Sequence, residues 1–370
     1  MYKMMTPGPT MVAENVRMAR SIETGNSDLD LDFYDYYKET CELYSELLHT
    51  KNESLILSGE GILGLEAAVA SLTEQGDRVL VLDNGVFGKG FADFVSMYGG
   101  ESVLYTTDYK KEIEVEPLRK FLEQDSDFKY ATVVHCDTPS GMLNDIAVIC
   151  PLLKEFGILT VVDSVSGMFG NEVNVDASKI DILCGGSQKA ISCPIGLTLV
   201  TISEDAKQAM ENRKTRIASF YANLLSFKDY YENKWFPYSM PISDIYGLRQ
   251  ALENIKTDTD MLNRHAKIAE KTRNALLRAG LQLYAENGYS NTVTVFKVPG
   301  GITAEQLLKT IREDNNIMLA GSFDVMAGEV IRIGHMGYNC TEEDMRETLD
   351  ALDSALRKLK VTLNDRIQFM

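Results

Sequence analysis

One lysine of this sequence lies in surroundings that are unusual for a charged side chain. Lys189 stands in the segment DILCGGSQKAIS, which follows a β-rich run and is made mostly of small or apolar residues. A lysine that is partly withdrawn from water has a lowered pKa, and its neutral amine can then act as a nucleophile. The segment therefore predicts Schiff-base chemistry at Lys189, whereas a lysine in a polar setting is usually a solvated surface charge.

An acidic residue closes an earlier apolar run. Asp163 ends ILTVVD, and both Asp163 and Lys189 then follow strands of a predicted α/β sheet, where ligands bind beyond the carboxyl ends of the strands. Pyridoxal phosphate needs an acid that keeps its pyridine nitrogen protonated and an amine that forms an imine with it. The pair predicts a pyridoxal-phosphate site, although Asp163 by itself is also compatible with a turn or helix-capping acid.

A glycine-rich loop, SGEGILGLEAA, lies between a β-rich run and a helical apolar pattern. Gly59, Gly61 and Gly64 match the spacing G-x-G-x-x-G, and Asp83 ends the next β-rich run at a distance typical of a ribose-binding acid. A dinucleotide site would explain these four residues but not Lys189. The alternative is a different phosphate, bound where the loop opens a helix.

One cation stands in the β-rich segment EVIRIG near the end of the chain. Arg332 alternates with Ile331 and Ile333, so it is expected on the opposite face of the strand from those two residues. A guanidinium in a half-buried strand needs an acceptor, and it can bind a carboxylate through two parallel N–H groups. Arg332 is therefore a candidate for carboxylate recognition, with an internal salt bridge as the alternative.

The elements that would position these residues fall into two parts. Between residues 54 and 205, β-rich runs alternate with helical segments, which predicts a mostly parallel sheet wrapped by helices. Later residues predict long helices with few strands. We expect a large domain over residues 17–255 and a small α+β domain made of residues 1–16 and 256–370. The predicted strands of the sheet are SLIL, RVLVLD, ESVLYT, YATVVHCD, ILTVVDSV, IDILCGG and GLTLVTIS.

Composition argues against several classes of protein. The 370 residues carry a net charge of −17, which opposes binding to nucleic acid or to an anionic membrane. The sequence has no apolar run of about 18 residues and no signal-peptide-like start, so a cytoplasmic location is expected. The six cysteines and four histidines show no metal-ligand or disulfide spacing, and no metal is expected.

The motifs resemble, in their order, those of the class V, fold-type I pyridoxal-phosphate aminotransferases, and within them the alanine–glyoxylate and serine–pyruvate aminotransferases. The resemblance implies pyridoxal 5′-phosphate as cofactor and a large domain with a mostly parallel seven-stranded sheet beside a small α+β domain. It covers nearly the whole chain. The motifs that carry it are TPGPT, SGEGILGLEAA, DNGVFGKG, HCDTPSGMLND, VVDSVSG, GGSQKA and VIRIGHMG.

The resemblance also implies roles for individual residues. Lys189 would form the Schiff base with the cofactor, Asp163 would contact the pyridinium nitrogen, and Gln188 would help to bind the phosphate. Phe87 matches the aromatic residue that stacks on the ring, and Thr138 matches a hydroxyl near the phenolic oxygen. Arg332 would bind the substrate carboxylate. The backbone amides of Glu60, Gly61 and Ile62 would bind the phosphate at a helix N-terminus.

The implied function is transfer of an amino group from alanine or serine to glyoxylate or pyruvate in a homodimer with shared active sites. Ser239, in FPYSMPIS, matches a segment that reaches the phosphate of the partner subunit. The sequence departs from the family at Glu60 and Ile62, where hydroxyl residues are usual, and in the acidic segment GNSDLDLDFYDYY. Alternatives are a 2-aminoethylphosphonate–pyruvate aminotransferase and a class V lyase, which Phe87 disfavours, since a histidine stacks on the ring there. A non-catalytic effector-binding protein would need a further domain, and the sequence shows none.

Overall fold

The computed structural model describes residues 2–370 of the chain. Within this range the backbone forms thirteen strands, twelve α-helices and three short 3-10 helices at 224–227, 324–326 and 337–339. The strands are β1 (Lys3–Met4), β2 (Glu53–Ser58), β3 (Arg78–Asp83), β4 (Glu101–Thr106), β5 (Tyr130–Val134), β6 (Cys136–Asp137), β7 (Met142–Leu143), β8 (Leu159–Asp163), β9 (Ile182–Gly186), β10 (Leu197–Ile202), β11 (Val293–Lys297), β12 (Ile317–Met318) and β13 (Val330–Gly334).

The helices occupy most of the remaining chain. They are α1 (Glu14–Ala19), α2 (Leu31–Leu47), α3 (Gly61–Leu72), α4 (Val86–Met97), α5 (Val115–Gln124), α6 (Ile146–Glu155), α7 (Glu204–Glu211), α8 (Tyr230–Asn233), α9 (Ile242–Thr257), α10 (Met261–Arg278), α11 (Ala304–Asn315) and α12 (Glu342–Lys358). None of the helices in residues 2–370 is long and apolar enough to span a membrane.

The large sheet has seven strands in the order β2-β10-β9-β8-β5-β3-β4. Strand β10 runs antiparallel to both of its neighbours, and the other pairs are parallel. Its inner strands β5, β9 and β10 are buried along their whole length, as expected for strands covered by helices on both faces. The mostly parallel seven-stranded sheet predicted from the sequence is confirmed.

The carboxyl ends of several strands meet at one edge of this sheet. Strand β8 ends at Asp163, which pairs in register with Cys184 of β9. The glycine loop follows β2 and turns into α3, and the lysine segment follows β9. Because β2, β8 and β9 run in the same direction, these three segments meet at the edge where ligands bind in α/β sheets.

The end of the chain packs around a separate apolar cluster. The antiparallel pair β11–β13 lies against α10, α11 and α12, and Met5 belongs to the same buried cluster. Strand β1 pairs in parallel with β12, so the first residues join the C-terminal part of the chain. This arrangement agrees with an α+β part built from both ends of the chain, while the boundaries at residues 17 and 255 stay predictions.

Candidate active site

A cavity of about 310 Å³ lies at the carboxyl edge of the large sheet. It gathers the residues that the sequence predicts for catalysis and cofactor binding, except Arg332 and Ser239. The described residues that line it are Gly8, Pro9, Glu60, Gly61, Ile62, Leu65, Phe87, Cys136, Thr138, Asp163, Val165, Ser166, Gln188 and Lys189. Segments that are far apart in the sequence thus form one site.

Lys189 projects into this cavity from a loop that is closed by its own hydrogen bonds. The backbone N–H of Ser187 donates to Leu197 O at 3.0 Å and so fixes the start of the loop. The Nζ of Lys189 donates to the carbonyl oxygen of Pro7 at 2.5 Å. Burial lowers the pKa of Lys189 from 10.5 to about 8, and the charge of Asp163 opposes this shift. The amine is therefore held in the cavity with an increased neutral fraction.

Asp163 lies at the end of β8 and is buried in the same cavity. Its Oδ1 accepts a hydrogen bond from the backbone N–H of Val165 at 2.9 Å. Burial raises the pKa of Asp163 from 3.8 to about 7, and the N–H of Val165 and the charge of Lys189 oppose this shift. An acid with this pKa can hold a proton near neutral pH and share it with a basic ligand atom.

The glycine loop ends at the N-terminus of α3. Gly61 starts the helix against Val165, since a Cβ on Gly61 would lie 2.8 Å from Val165 Cγ2. The first amides of a helix have no partner within it, and the Glu60 side chain does not cap α3. The backbone around Glu60, Gly61 and Ile62 therefore offers N–H groups to an anion. The carboxylate of Glu60 lies beside them, accepting a hydrogen bond from Nε2 of Gln188 at 3.0 Å.

Phe87 and Thr138 come from two different turns at the sheet edge. Phe87 lies in the first turn of α4, and its backbone N–H donates to Oδ1 of the buried Asp137 at 3.0 Å. Thr138 follows β6 directly and is also buried. Both residues line the cavity beside Lys189. Asp137 thereby fixes the backbone that carries the aromatic ring.

Arg332 lies on β13, close to the cavity but outside its lining. Its Nε donates to Gly321 O at 2.6 Å, and no carboxylate within residues 2–370 forms a salt bridge with it. Burial lowers the pKa of Arg332 to about 10, and the charge of Asp137 opposes this shift. Its guanidinium carbon lies 5.6 Å from the ring of Phe323, which in turn packs edge-on against Phe87. A half-buried cation without an internal ion pair is thus placed beside the aromatic wall of the cavity.

Ser239 lies away from the cavity lining. Its hydroxyl donates to Oδ2 of Asp28 at 2.8 Å, and the N–H of Met240 donates to Ser27 at 3.0 Å. The segment FPYSMPIS therefore contacts the acidic segment that begins at Gly25. A role of Ser239 at the phosphate of a partner subunit stays a prediction.

Sequence reasoning missed the part of the site that the N-terminal segment provides. Gly8 and Pro9 line the cavity, and a Cβ on Gly8 would lie 2.6 Å from Cδ of Lys189. The motif TPGPT was the available signal, but nothing in it specifies a contact with a lysine that lies far along the chain. Cys136 and Ser166 were also missed, although each lies inside a motif that carries the resemblance, HCDTPSGMLND and VVDSVSG.

The fold and the site define a pyridoxal-phosphate-dependent transferase built on an α/β sheet. A family model described as aminotransferase class V matches residues 11–352, and the chain belongs to this family of aminotransferases. An uncharacterized aminotransferase of Methanocaldococcus jannaschii is 34% identical over 360 residues, which cover 96% of this chain and 93% of the relative.

Two further comparisons support this assignment. The pyridoxamine–pyruvate transaminase of Mesorhizobium japonicum is 31% identical over 347 residues, covering 90% of this chain and 87% of the relative. The crystal structure of the ureidoglycine–glyoxylate aminotransferase of Bacillus subtilis matches with a TM-score of 0.94 and 27% identity, covering 98% of this chain and 95% of that chain. This chain is thus an aminotransferase with the fold of these proteins.

Family membership implies pyridoxal 5′-phosphate as the cofactor, and the residues of the cavity fit its ring and its aldehyde. The buried amine of Lys189 suits the aldehyde, the buried acid Asp163 suits the ring nitrogen, and Phe87 offers an aromatic face. The N-terminus of α3 offers N–H groups to the phosphate, and the carboxylate of Glu60 lies beside them. Within residues 2–370, no group of histidine, cysteine, aspartate and glutamate side chains could hold a metal ion.

Proposed function

We propose that this aminotransferase moves the amino group of a small amino acid, alanine or serine, to a small 2-oxo acid, glyoxylate or pyruvate. The observation that carries the proposal is the meeting of Lys189 and Asp163 in one cavity, with pKa values moved to about 8 and about 7. Names of relatives at 31% and 28% identity include pyruvate and glyoxylate, which supports a small acceptor.

In this proposal Asp163 and Lys189 have separate roles. When bound, pyridoxal phosphate supplies an electron-withdrawing ring that stabilises negative charge on the substrate α-carbon. Asp163 would hold the ring nitrogen protonated. Lys189 would hold the cofactor by its aldehyde carbon, and its free amine would carry a proton from the substrate α-carbon.

Arg332 selects substrates with an α-carboxylate. Its two terminal nitrogens have no salt-bridge partner within the described residues, and two parallel N–H groups match the geometry of a carboxylate. Phe323 contacts both Arg332 and Phe87, which supports a position of this cation beside the aromatic wall of the cavity. A donor held there by its carboxylate would have its α-carbon within the cavity that contains Lys189.

We also propose that the chain acts as a homodimer in which each subunit completes the site of the other. Large apolar side chains are exposed in the stretch that precedes Ser239, where Phe220, Tyr221 and Trp235 are each more than half exposed. The rings of Phe220 and Tyr221 lie 5.7 Å apart, and an exposed aromatic pair of this kind favours an interface. The cytoplasmic location predicted from the sequence stays a prediction.

A screen of amino donors in the half-reaction tests the proposal. Alanine and serine should convert the absorbance of the bound cofactor to that of its amine form, and glyoxylate or pyruvate should restore it. Lys189→Ala should abolish both conversions. Conversion by 2-aminoethylphosphonate alone would overturn the assigned donors, and the absence of conversion by any amine would overturn amino transfer itself.

A further inference from the structure

Glu60 brings a carboxylate to the end of the cavity where α3 begins. Its Oε2 accepts a hydrogen bond from Nε2 of Gln188 at 3.0 Å, and its side chain does not cap the helix. Gln188 is buried, and its Oε1 has no hydrogen-bond partner within residues 2–370. The amide that the sequence predicts as a phosphate ligand is therefore turned toward a carboxylate, with one of its polar atoms left unpaired.

The ionisable side chains of the cavity wall are mainly acidic. Among the described residues that line it, Glu60 and Asp163 are acidic and Lys189 is basic. The negative charge of Glu60 contributes upward to the pKa of both Asp163 and Lys189, so its carboxylate acts on the interior of the cavity. Neither Glu60 nor its neighbour Ile62 offers a hydroxyl or a cation to a phosphate.

Pyridoxal phosphate carries a phosphate ester where pyridoxal carries a hydroxymethyl group. These two groups interact differently with the carboxylate of Glu60. A phosphate monoester carries about −1.5 to −2 charges at neutral pH and offers only acceptor oxygens when fully ionised. Beside the carboxylate of Glu60 it would be repelled, because like charges disfavour each other at short range. A hydroxymethyl group is neutral, and its O–H can donate a hydrogen bond to that same carboxylate.

We propose that Glu60 lets this site take the pyridoxal ring without its phosphate, and that pyridoxamine serves here as an amino donor to a small 2-oxo acid. The inference rests on the proposed function, because the same Lys189 and Asp163 carry out the transfer. The phosphate ester and the phosphate-free ring compete for one cavity, and Glu60 sets their relative affinities.

The transfer balances without any further reactant. The amine on the C4′ carbon of pyridoxamine condenses with the ketone carbon of pyruvate and releases one water. Lys189 moves a proton from C4′ to the former ketone carbon, so that C4′ is oxidised while the acid is reduced. One water then hydrolyses the C=N bond at C4′. Pyridoxal and alanine leave, and the water released at the start is consumed at the end.

Titration of the cofactor-free protein with pyridoxal and with pyridoxal phosphate tests the inference without turnover. The absorbance of the covalent linkage to Lys189 reports binding of each ring. The parent protein should bind pyridoxal at least as tightly as the phosphate ester. Glu60→Gln removes the charge while keeping the size, so affinity for the phosphate ester should rise at least about tenfold relative to pyridoxal. Glu60→Ser should shift the ratio in the same direction.

Glu66→Gln is the matched control. Glu66 lies on the same helix outside the cavity lining, where its carboxylate accepts a hydrogen bond from the Tyr98 hydroxyl at 2.6 Å. This variant also removes one negative charge from α3, but it should leave the ratio of the two affinities unchanged. An equal shift in Glu66→Gln and Glu60→Gln would show that the effect is not specific to Glu60 and would overturn the inference.

The other outcomes separate the inference from the proposed function. An unchanged ratio in both Glu60 variants, or a parent protein that binds the phosphate ester far more tightly than pyridoxal, overturns the role of Glu60. Pyridoxamine and pyruvate should yield alanine and pyridoxal, and the absence of these products overturns pyridoxamine as a donor. A failure of the proposed function looks different, since alanine would then leave the absorbance of both bound rings unchanged.

Discussion

The amine of Lys189 donates a hydrogen bond to the carbonyl oxygen of Pro7 at 2.5 Å. Two further contacts join the same segments: the N–H of Thr10 donates to Gln188 O at 3.0 Å, and its hydroxyl donates to Lys189 O at 3.1 Å. The N-terminal segment thus lies directly over the lysine loop. The position of the Lys189 amine therefore depends on residues near the start of the chain.

Gly8→Ala tests this dependence. Gly8 has a φ of +103°, and an added Cβ would lie 2.6 to 2.8 Å from the last three atoms of Lys189. The displaced amine should bind pyridoxal about tenfold to a hundredfold more slowly in a stopped-flow absorbance measurement. Gly76→Ala is the control, because Gly76 has a φ of +82° and open space around the added Cβ. Equal effects of both substitutions would show that backbone strain, and not the contact with Lys189, is responsible.

The pH dependence of cofactor attachment reports the pKa of Lys189. Since the neutral amine is the nucleophile and the pKa is lowered to about 8, the attachment rate should rise about tenfold per pH unit below this value and level off above it. Stopped-flow absorbance with cofactor-free protein measures the midpoint. A rate that continues to rise up to about pH 10.4, the ordinary lysine value, would contradict the buried setting of the amine.

Asp163→Asn should change how stability depends on pH. The pKa of Asp163 is raised from 3.8 to about 7, so its contribution to stability is complete below about pH 4 and is lost as the pH rises through 7. The loss is about 1.4 kcal/mol per pH unit between these values. The unfolding free energy of the cofactor-free variant, relative to the parent, should therefore increase by roughly 3 kcal/mol between pH 5 and pH 8.

Urea unfolding of both cofactor-free proteins at the two pH values measures this difference. Asparagine keeps the size of the side chain and cannot ionise, so other titrating groups contribute equally to both proteins. A difference in stability that stays constant with pH would show that Asp163 is already ionised in the folded protein at pH 5.

Most of the fold was predictable because the strands of the large sheet are short apolar runs separated by turn residues. RVLVLD coincides with β3, and GLTLVTIS contains β10. The prediction of a single sheet strand over YATVVHCD was only partly confirmed. The chain leaves the sheet after Val134, and β6 pairs instead with β7 in a small hairpin. The sequence there stays apolar, so only tertiary contacts reveal the break.

Two helix N-termini show which capping contacts a local sequence pattern predicts and which it does not. The spacing Thr303-x-x-Gln306 predicts a capping box, and the structure has one there. The spacing Thr341-x-x-Asp344 also predicts one, but there the hydroxyl of Thr341 accepts from the N–H of Asp344 without the reciprocal bond. The carboxylate of Asp344 accepts from the Thr341 hydroxyl at 2.8 Å and from Lys3 at 2.7 Å, and not from the backbone of the cap. The contact with Lys3, at the other end of the chain, is invisible in a local pattern.

The site was predictable where chemistry is local and unpredictable where it is assembled from distant segments. Small and apolar neighbours around Lys189 indicated a buried amine, and the end of an apolar strand indicated Asp163. The carbonyl of Pro7 and the hydrogen bond between Gln188 and Glu60 join residues far apart in sequence. No spacing rule specifies such contacts.

Arg332→Ala should impair α-amino acid substrates without releasing the cofactor. Truncating one partner of a buried charge pair typically costs about 2 to 5 kcal/mol, so kcat/KM for alanine should fall roughly 30-fold to several thousand-fold. Arg332→Lys should recover only part of this loss, since an ammonium lacks the planar fork. Lys297→Ala, which removes an exposed cation from the paired strand β11, is the control. Parent-like kinetics with alanine would contradict the role of Arg332.

Borohydride trapping followed by peptide mapping tests the central claim most directly. Reduction of the yellow, cofactor-loaded protein should fix one cofactor per chain on the peptide that contains Lys189. Alanine added before the reductant should abolish this labelling, because amino transfer frees the lysine and leaves the cofactor in its amine form. Labelling of a different lysine, or labelling of Lys189 that alanine and serine leave unchanged, would contradict the account.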